Sequence, residues 1–560
     1  MSGGLSGRGI PGTVRLRACS ALALALASPA FAQTSPAFAQ TADAPADAPG
    51  AASTERFNID AFDVTGNSIL SSAEVERAVY PHLGPARSPD DVEAARAALE
   101  KAYHAKGYTS VFVDLAQEPV AQGILALYVT ESKIGSVTVT GAKHASAEDV
   151  LARVPSLRSG GVPDLTATER EIMLSNEMIR SRQITPLLKP GKEPGTVDVE
   201  LKVQDKLPVT ASLTLSNDHN NNTKPLRLNA TVGLNNLWGA GHTVSGTYLV
   251  APERRSDLEV FSGSYMAPLW GTPWSLLAYG YKSNSNVAAL GGTNVLGDGY
   301  AIGLRAILKL PSKNSAFSHS VNFGFDYKDF NEDIFFGGIA ADAAPIHYVP
   351  FTTAYSAYLF GEKSSLGVTL SGTFGMRVFN DIDCRPGSAG TCQLEDQFVI
   401  KRAAARENFI HLNLDIDYSR EIGRDWVAAL KLSGQYADSA LVSNEQFAAG
   451  GMSSVRGYLQ SEAVGDDGVA ASLEVRTPSL TIGEMVDEWR FFAFTDYGYA
   501  RLREALPDQK NEFQLWSMGL GTRIRMLDML TGEVVVGVPY TGDTARGRKP
   551  LVSFSVKAEY

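Results

Sequence analysis

Cysteine is scarce, with three in 560 residues, which excludes a disulfide-dense scaffold. Long apolar runs are scarcer still. Outside the N-terminus no segment approaches the ~20 apolar residues of a membrane-spanning helix, so if the chain crosses a membrane it does so with strands. The formal charge of -11 is spread along the chain, without the basic stripe that nucleic acid demands, and no nucleic-acid partner is expected. The sequence contains no phosphate-binding P-loop, no Gly-x-Ser-x-Gly elbow and no His-Glu-x-x-His, and its eight histidines are scattered. No catalytic, cofactor-binding or metal site is expected, and the chain does not read as an enzyme. With 44% hydrophobic and 20% charged residues it is too apolar to be disordered, and its length calls for at least two folded units.

The N-terminus carries Arg15 and Arg17, an apolar run from Ala18 to Ala27, and Ala30-Phe31-Ala32, a small-x-small cleavage pattern. Residues 1–32 read as a secretory signal peptide; a repeat of the phrase, Ser35 to Gln40, leaves a cut after residue 39 open. Cys19 lies near the start of the apolar run, which argues against a lipoprotein anchor. Residues 33–56 are rich in Ala, Pro, Asp and Thr and read as a flexible leader. In the mature chain Cys384 and Cys392 remain, close enough for a disulfide worth about 2.5 kcal/mol by loop closure; metal binding by two isolated thiols is the lesser reading.

From Phe57 a strand (Phe57, Ile59, Phe62, Val64) stops at Gly66-Asn67, and Ser71-x-x-Glu74 caps a short helix. Ser88-Pro89 opens a second helix with Val92, Ala95, Leu99 and Tyr103 on one face, and two alternating strands follow. This β-α-α-β-β order recurs: Val64-Thr65-Gly66 is echoed by Val139-Thr140-Gly141, and Ser72-Ala73-Glu74 by Ser146-Ala147-Glu148. Two tandem units are expected, 57–132 and 133–206, the second less regular over Ile172 to Ile184.

Past Lys206 helical periodicity gives way to dyad alternation over 207–560. Ile410, Leu412, Leu414, Ile416 and Tyr418 alternate with His411, Asn413, Asp415 and Asp417, and Val552, Phe554, Val556 and Ala558 with Ser553, Ser555 and Lys557. A soluble sandwich also alternates. Connection lengths separate the two: those at 237–241, 268–273, 362–363 and 422–424 are tight, whereas those at 283–297, 330–349, 380–406 and 438–467 are long. Short and long connections taking turns over about 16 strands is the pattern of an outer-membrane barrel with short periplasmic turns. The long loops, with Cys384 and Cys392, then face outward. One strand parity leaves Ser472, Glu474 and Arg476, then Arg490 and Asp496, then Ser517, Gly519, Gly521 and Arg523 facing the lumen.

Gly450 to Tyr458 reads Gly-Gly-Met-Ser-Ser-Val-Arg-Gly-Tyr, and Phe494-Thr495-Asp496-Tyr497-Gly498 lies two strands later. Here the chain resembles the two-partner secretion transporters, the haemolysin secretion/activation family of ShlB/FhaC/HecB type in the outer-membrane assembly superfamily. Its two α+β units look like periplasmic POTRA domains ahead of an all-β antiparallel transmembrane barrel. Val455, Arg456, Gly457 and Tyr458 are similar to the family's VRGY loop, and Phe494, Asp496 and Gly498 to its F-x-D-x-G strand. The resemblance implies that the loop folds into the lumen and sets Arg456 against Asp496, with Glu474, Arg476, Arg490 and Arg523 as further lumen charges. It implies a secreted client captured by the POTRA-like units, and insertion into outer-membrane lipid by the barrel-assembly machinery reading Tyr560. Many relatives start with a plug helix; residues 40–56 hold no amphipathic helix, so the plug is expected to be absent or reduced. The alternatives are a barrel insertase, disfavoured by having two POTRA-like units rather than a longer array, and a passive porin, which needs no docking domains.

Overall fold

A computed structural model describes residues 56–560 except 116–122, 180, 222, 291–292, 315, 333–334, 337–338, 341–343, 378–382, 387–391, 481, 508 and 542–546. The expected signal peptide, its cleavage site and the leader to residue 55, where a plug would lie, are outside the described residues.

The first unit comprises β1 (Phe57–Ile59), β2 (Ala61–Thr65), α1 (Ser72–Val79), β3 (Gly84–Arg87), α2 (Pro89–Ala105), β4 (Val111–Leu115) and β5 (Ile124–Glu131). The second comprises β6 (Lys133–Thr140), α3 (Ala147–Leu151), α4 (Leu165–Met178), β7 (Arg182–Pro190) and β8 (Thr196–Asp205). The strand expected from Phe57 is interrupted: β1 pairs with β3, while β2 joins a sheet of order β2-β5-β4. The second unit repeats that sheet as β6-β8-β7, its central strand parallel to the first and antiparallel to the third. The repeated Val-Thr-Gly has a steric cause. Gly66 and Gly141 take φ +86° and +78°, and a Cβ on either would run into the carbonyl of Val129 or Val203. An acid at the end of each central strand ties down the turn that follows this Val-Thr-Gly on the neighbouring first strand. Glu131 accepts from the Ser68 N–H at 2.8 Å and Asp205 from the His144 N–H at 2.7 Å. The helices start on Ser71, Ser88, Ser146 and Asp164, and each sheet buries its apolar face under them, with Leu99, Tyr103 and Leu127 in one core and Val150, Ile172 and Leu201 in the other.

The remainder forms β9 (Val209–Ser216), β10 (Arg227–Leu237), β11 (His242–Val250), β12 (Glu259–Pro268), β13 (Trp274–Leu290), β14 (Thr293–Lys309), β15 (Phe317–Glu332), β16 (Phe335–Phe336), β17 (Ile339–Ala340), β18 (Ala344–Tyr348), β19 (Phe351–Phe360) and β20 (Ser364–Phe374). It continues with β21 (Asp383–Pro386), β22 (Cys392–Glu395), α5 (Gln397–Lys401), β23 (Ile410–Gly423), β24 (Trp426–Ala437), β25 (Phe447–Ala449), β26 (Ala463–Gly465), β27 (Asp467–Arg476), β28 (Val486–Arg501), β29 (Glu512–Met526), β30 (Leu530–Pro539) and β31 (Leu551–Glu559). Consecutive wall strands pair antiparallel, and β31 pairs with β9 to close a 16-strand barrel. Closure leaves no unpaired edge, as a sheet in hydrocarbon requires.

Two connections differ from expectation. Residues 283–297 are not a loop: β13 and β14 continue as a hairpin to Leu290 and from Thr293, the polar Ser-Asn-Ser composition having hidden their pairing. Within 330–349, β18 extends the ladder of β15 beyond β19. The tight turns have the backbone their strands demand. Arg424 and Asp425 take φ 50° and 62°, and Leu527 and Asp528 take 55° and 53°, the positive pair whose twist suits an antiparallel hairpin. Cys384 and Cys392 fall on β21 and β22, where the register sets Cys384 opposite Leu394 and Cys392 opposite Pro386.

The outward face is oily. Ile302 is 59% and Leu520 67% exposed, with Leu304, Phe323, Leu370, Leu412, Leu473 and Val534 also bare. So large an apolar surface suits hydrocarbon and not water. No helix among the described residues is long and apolar enough to cross a membrane. The second unit docks on the barrel's periplasmic turns through Arg153, whose guanidinium lies 3.8 Å above the Trp270 ring and donates to Gly239 O at 2.8 Å.

Candidate functional site

The loop from β24 to β27 turns back into the barrel. Its stalk is the short ladder of β25 and β26, Phe447 opposite Gly465 and Ala449 opposite Ala463. Gly450 and Gly451, at φ +121° and +92°, bend the chain off this stalk, so that Val455, Arg456 and Tyr458 are buried in the lumen.

Arg456 makes most of the polar contacts there. Its Nε and Nη2 donate to Asp496 Oδ2 and Oδ1 at 2.8 and 2.9 Å, and its backbone N–H reaches Oδ2 at 2.9 Å. Nη1 donates to Glu474, and Nη2 also to Ser472 Oγ at 2.9 Å. The guanidinium lies 3.7 Å from the centre of the Phe494 ring. Asp496 is fully buried, with Glu474 6% and Arg456 7% exposed. A buried charge requires partners, and the fork of Arg456 has two carboxylates, a hydroxyl and an aromatic face. A lysine has neither the fork nor the plane.

Glycines make room for the loop. Gly457, at φ +91°, lies against the backbone of Gly537, where a Cβ on Gly537 would come within 2.5 Å of Gly457 Cα. A Cβ on Gly498 would stand 2.9 Å from Val455 Cγ2, which gives the last residue of F-x-D-x-G its steric purpose. Gly519 and Gly521 leave space for the inward rings of Phe494 and Phe492. The hydroxyl of Tyr458 donates to Trp516 O at 2.8 Å and is 2.6 Å from Thr541 Oγ1.

The other expected lumen charges divide. Arg476 Nε donates to Glu474 Oε1 at 2.7 Å, and Arg523 lies 3.9 Å from Glu474 while pairing with Glu533 at 3.0 Å. Arg490 is elsewhere: at the periplasmic end it grips Asp425 of a turn at 2.9 Å and pairs with Glu488. Tyr560 is 68% exposed, and its N–H and C=O pair with Ala211 at the seam, at 2.9 and 3.1 Å. Sequence reading missed two further anchors of the loop. Glu445, buried, accepts from Lys328 and Tyr348 at 2.6 Å, and Asp218, beyond β9, accepts the Met452 N–H at 3.2 Å and Gln460 Nε2 at 3.0 Å. Nothing periodic marks either; Glu445 is an isolated acid in the long 438–467 loop and Asp218 one in the connection from β9 to β10. Among the described residues no group of His, Cys, Asp and Glu could hold a metal ion.

The model of the haemolysin secretion/activation protein family ShlB/FhaC/HecB matches residues 195–524, which is more than half of the chain and spans the loop and its seat. The chain belongs to that family. The ShlB-type POTRA domain matches residues 57–132. The transporter is 22% identical over 508 residues to the outer membrane transporter CdiB of Dickeya dadantii (strain 3937), covering 89% of this chain and 85% of that one. The solved CdiB from Escherichia coli superposes with a TM-score of 0.59 at 19% identity, over 92% and 93% of the two chains. BamA from Haemophilus ducreyi lacking POTRA domains 1–3 superposes at 0.53 and 14% identity, over 90% of this chain and all of that one, a likeness of fold alone. The protein is an outer-membrane barrel of two-partner secretion that passes a partner exoprotein outward, with its POTRA region in the periplasm.

Proposed function

We propose that the seated Val455–Tyr458 loop closes the pore and that the client is exported when it displaces this loop. The burial of Arg456 against Asp496 and Glu474 carries this reading. The seat is ionic, so a polar chain and water entering the lumen can replace its contacts, whereas they could not replace those of a purely apolar plug. Folding of the client outside prevents its return. No covalent step by this chain is needed, which supports a transporter without enzymatic activity.

Capture falls to the POTRA units. β7 is an open edge of the second sheet, beside a cleft of about 400 Å³ between it and α4, lined by Ile172, Met173, Asn176 and Pro186. An extended client can add a strand along such an edge and insert alternate side chains into the cleft. Two units at 57–132 and 133–206, a signal peptide over 1–32, a Cys384–Cys392 disulfide on the outside and insertion by the barrel-assembly machinery through Tyr560 complete the reading.

A reducible tether tests the loop's part. Met452 packs on the cluster of Phe492, Phe494 and Val535. Cysteines at 452 and 535 should stop secretion when oxidised and restore it on reduction; full secretion with the tether closed would contradict the proposal.

A further inference from the structure

The lumen has two kinds of wall. The stalk of the loop lies on β27, β28 and β29 and its tip on β30, where Glu474, Asp496, Arg523 and Glu533 face inward. By contrast, β9 to β12 carry two cross-strand rows without a charge. One runs Ser212, Thr231, Thr247, Ser262 on successive strands, and the other passes Gly233 to Ser245 and Ser264. Val232 and Phe261, their neighbours along the chain, are 56% and 52% exposed on the oily face, so by alternation the hydroxyls line the lumen. Lys557 and Glu559 of β31 bound this wall on one side, and Tyr279 and Tyr281 of β13 on the other.

The hydroxyls satisfy one another. Thr231 Oγ1 and Thr247 Oγ1 are 3.0 Å apart, and Ser245 Oγ and Ser264 Oγ 2.7 Å. Each can both donate and accept. A passing amide can therefore take the place of the partner hydroxyl and give it back at little net cost, whatever side chain it carries. A fixed charge in the lumen would hold or repel a chain according to that chain's own charges.

A similar set of pairs stands on β19 and β20, Thr352 with Thr373 at 3.3 Å and Ser356 with Thr369 at 3.1 Å. What docks below separates the two walls. Arg153 of the second POTRA unit reaches Gly239, in the turn from β10 to β11, and Trp270, in the turn from β12 to β13. Between them, a Cβ on Gly241 would stand 3.0 Å from Met178 O of the same unit. The unit with the open β7 edge is thus seated beneath the β10 to β12 wall.

We infer that the client runs through the lumen along the hydroxyl wall of β9 to β12, touching Thr231, Ser245, Thr247 and Ser264, and that the neutrality of this wall lets segments of either charge pass. The inference rests on the reading of the lumen as the client's route and adds which side of it is used. The loop's ionic seat and the client's track are then separate faces of one pore.

Photo-crosslinking in the native host tests it. The probe is the partner exoprotein arrested in transit by a disulfide-locked domain fused to its C-terminus, and the full-length transporter carries benzoylphenylalanine in place of Thr247, Ser264, Thr369 or Arg523. Positions 247 and 264 should label the arrested client several-fold more than 369 and 523. Labelling at 369 or 523 that equals or exceeds it would overturn the inference and leave the route inside the barrel standing. No label at any of the four, from a client whose N-terminus is already outside, would overturn both. Charge gives a second readout. Thr247→Asp should cut export several-fold with the barrel still folded in the outer membrane, Thr247→Asn should recover most of that loss, and Thr369→Asp should export as wild type does. Equal export by Thr247→Asp and Thr369→Asp would contradict the role given to this wall.

Discussion

Arg456 and Asp496 meet inside the barrel through three hydrogen bonds, two from the guanidinium and one from the backbone, all to a single carboxylate with no exposed surface. The backbone bond means that Asp496 reads the path of the loop as well as its charge.

Removing either partner strands the other. Arg456→Ala leaves Asp496 buried without its cation, while Glu474 keeps Arg476, and should weaken the seat by about 3–5 kcal/mol. Arg456→Lys keeps the charge but cannot bridge Asp496, Glu474 and Ser472 at once, so it should be closer to alanine than to wild type. Bilayer conductance checks this: both variants should open more often than wild type, and Asp496→Ala should match them.

The glycine contact makes a prediction without charge. Gly537→Val puts side-chain atoms where Gly457 lies, and should raise conductance as Arg456→Ala does while leaving all the ion-pairing groups in place. Gly532, on the same strand as Gly537, where a Cβ would meet Ile524 Cγ2 of the neighbouring strand at 3.3 Å, should tolerate alanine with little change.

Acid should firm the seat at its other end. Burial pushes the Asp218 carboxyl up from 3.8 to about 6, against the opposing pull of the Met452 N–H, the Gln460 amide and Arg227. The seated form then holds a proton that the unseated form has lost, so the seat is firmest below about pH 4, weakens as pH rises toward 6 and is level beyond. A spin label on the exposed Ser453 should be more immobile at pH 4.5 than at pH 7.5, and Asp218→Asn should flatten that difference.

The POTRA joint rests on Arg153 over Trp270. Arg153→Ala removes the ring contact and the bond to Gly239, and should widen the spread of distances between labels on α4 and on the barrel's turns. Double electron resonance measures it; an unchanged distribution would mean that the joint is held elsewhere.

Much of this was legible in the sequence because a sheet with one face in hydrocarbon prints its geometry as strict alternation. Leu412 and His411, or Leu473 and Glu474, declare their sides without a structure. Height along the strand is not so printed. Arg490 and Asp496 share a parity, but six residues of strand separate them by about 20 Å, and Arg490 serves the periplasmic turn at Asp425 instead of the loop. Polar strands were also hidden, since the Ser283–Ser285 stretch of β13 looks like a loop until its ladder with β14 is seen. The Asp218 contacts join residues 234 and 242 positions apart through aperiodic loops, and no local pattern reports such a pair. The Arg456–Asp496 pairing entered through family resemblance, not through periodicity.

Export of the partner tests the account most directly. In the native host, deleting this gene should leave the partner exoprotein in the periplasm and absent from the cell surface and medium. The wild-type gene should restore it, and Asp496→Ala should fail to do so while its barrel stays folded in the outer membrane. Unchanged export in the deletion strain would contradict the account.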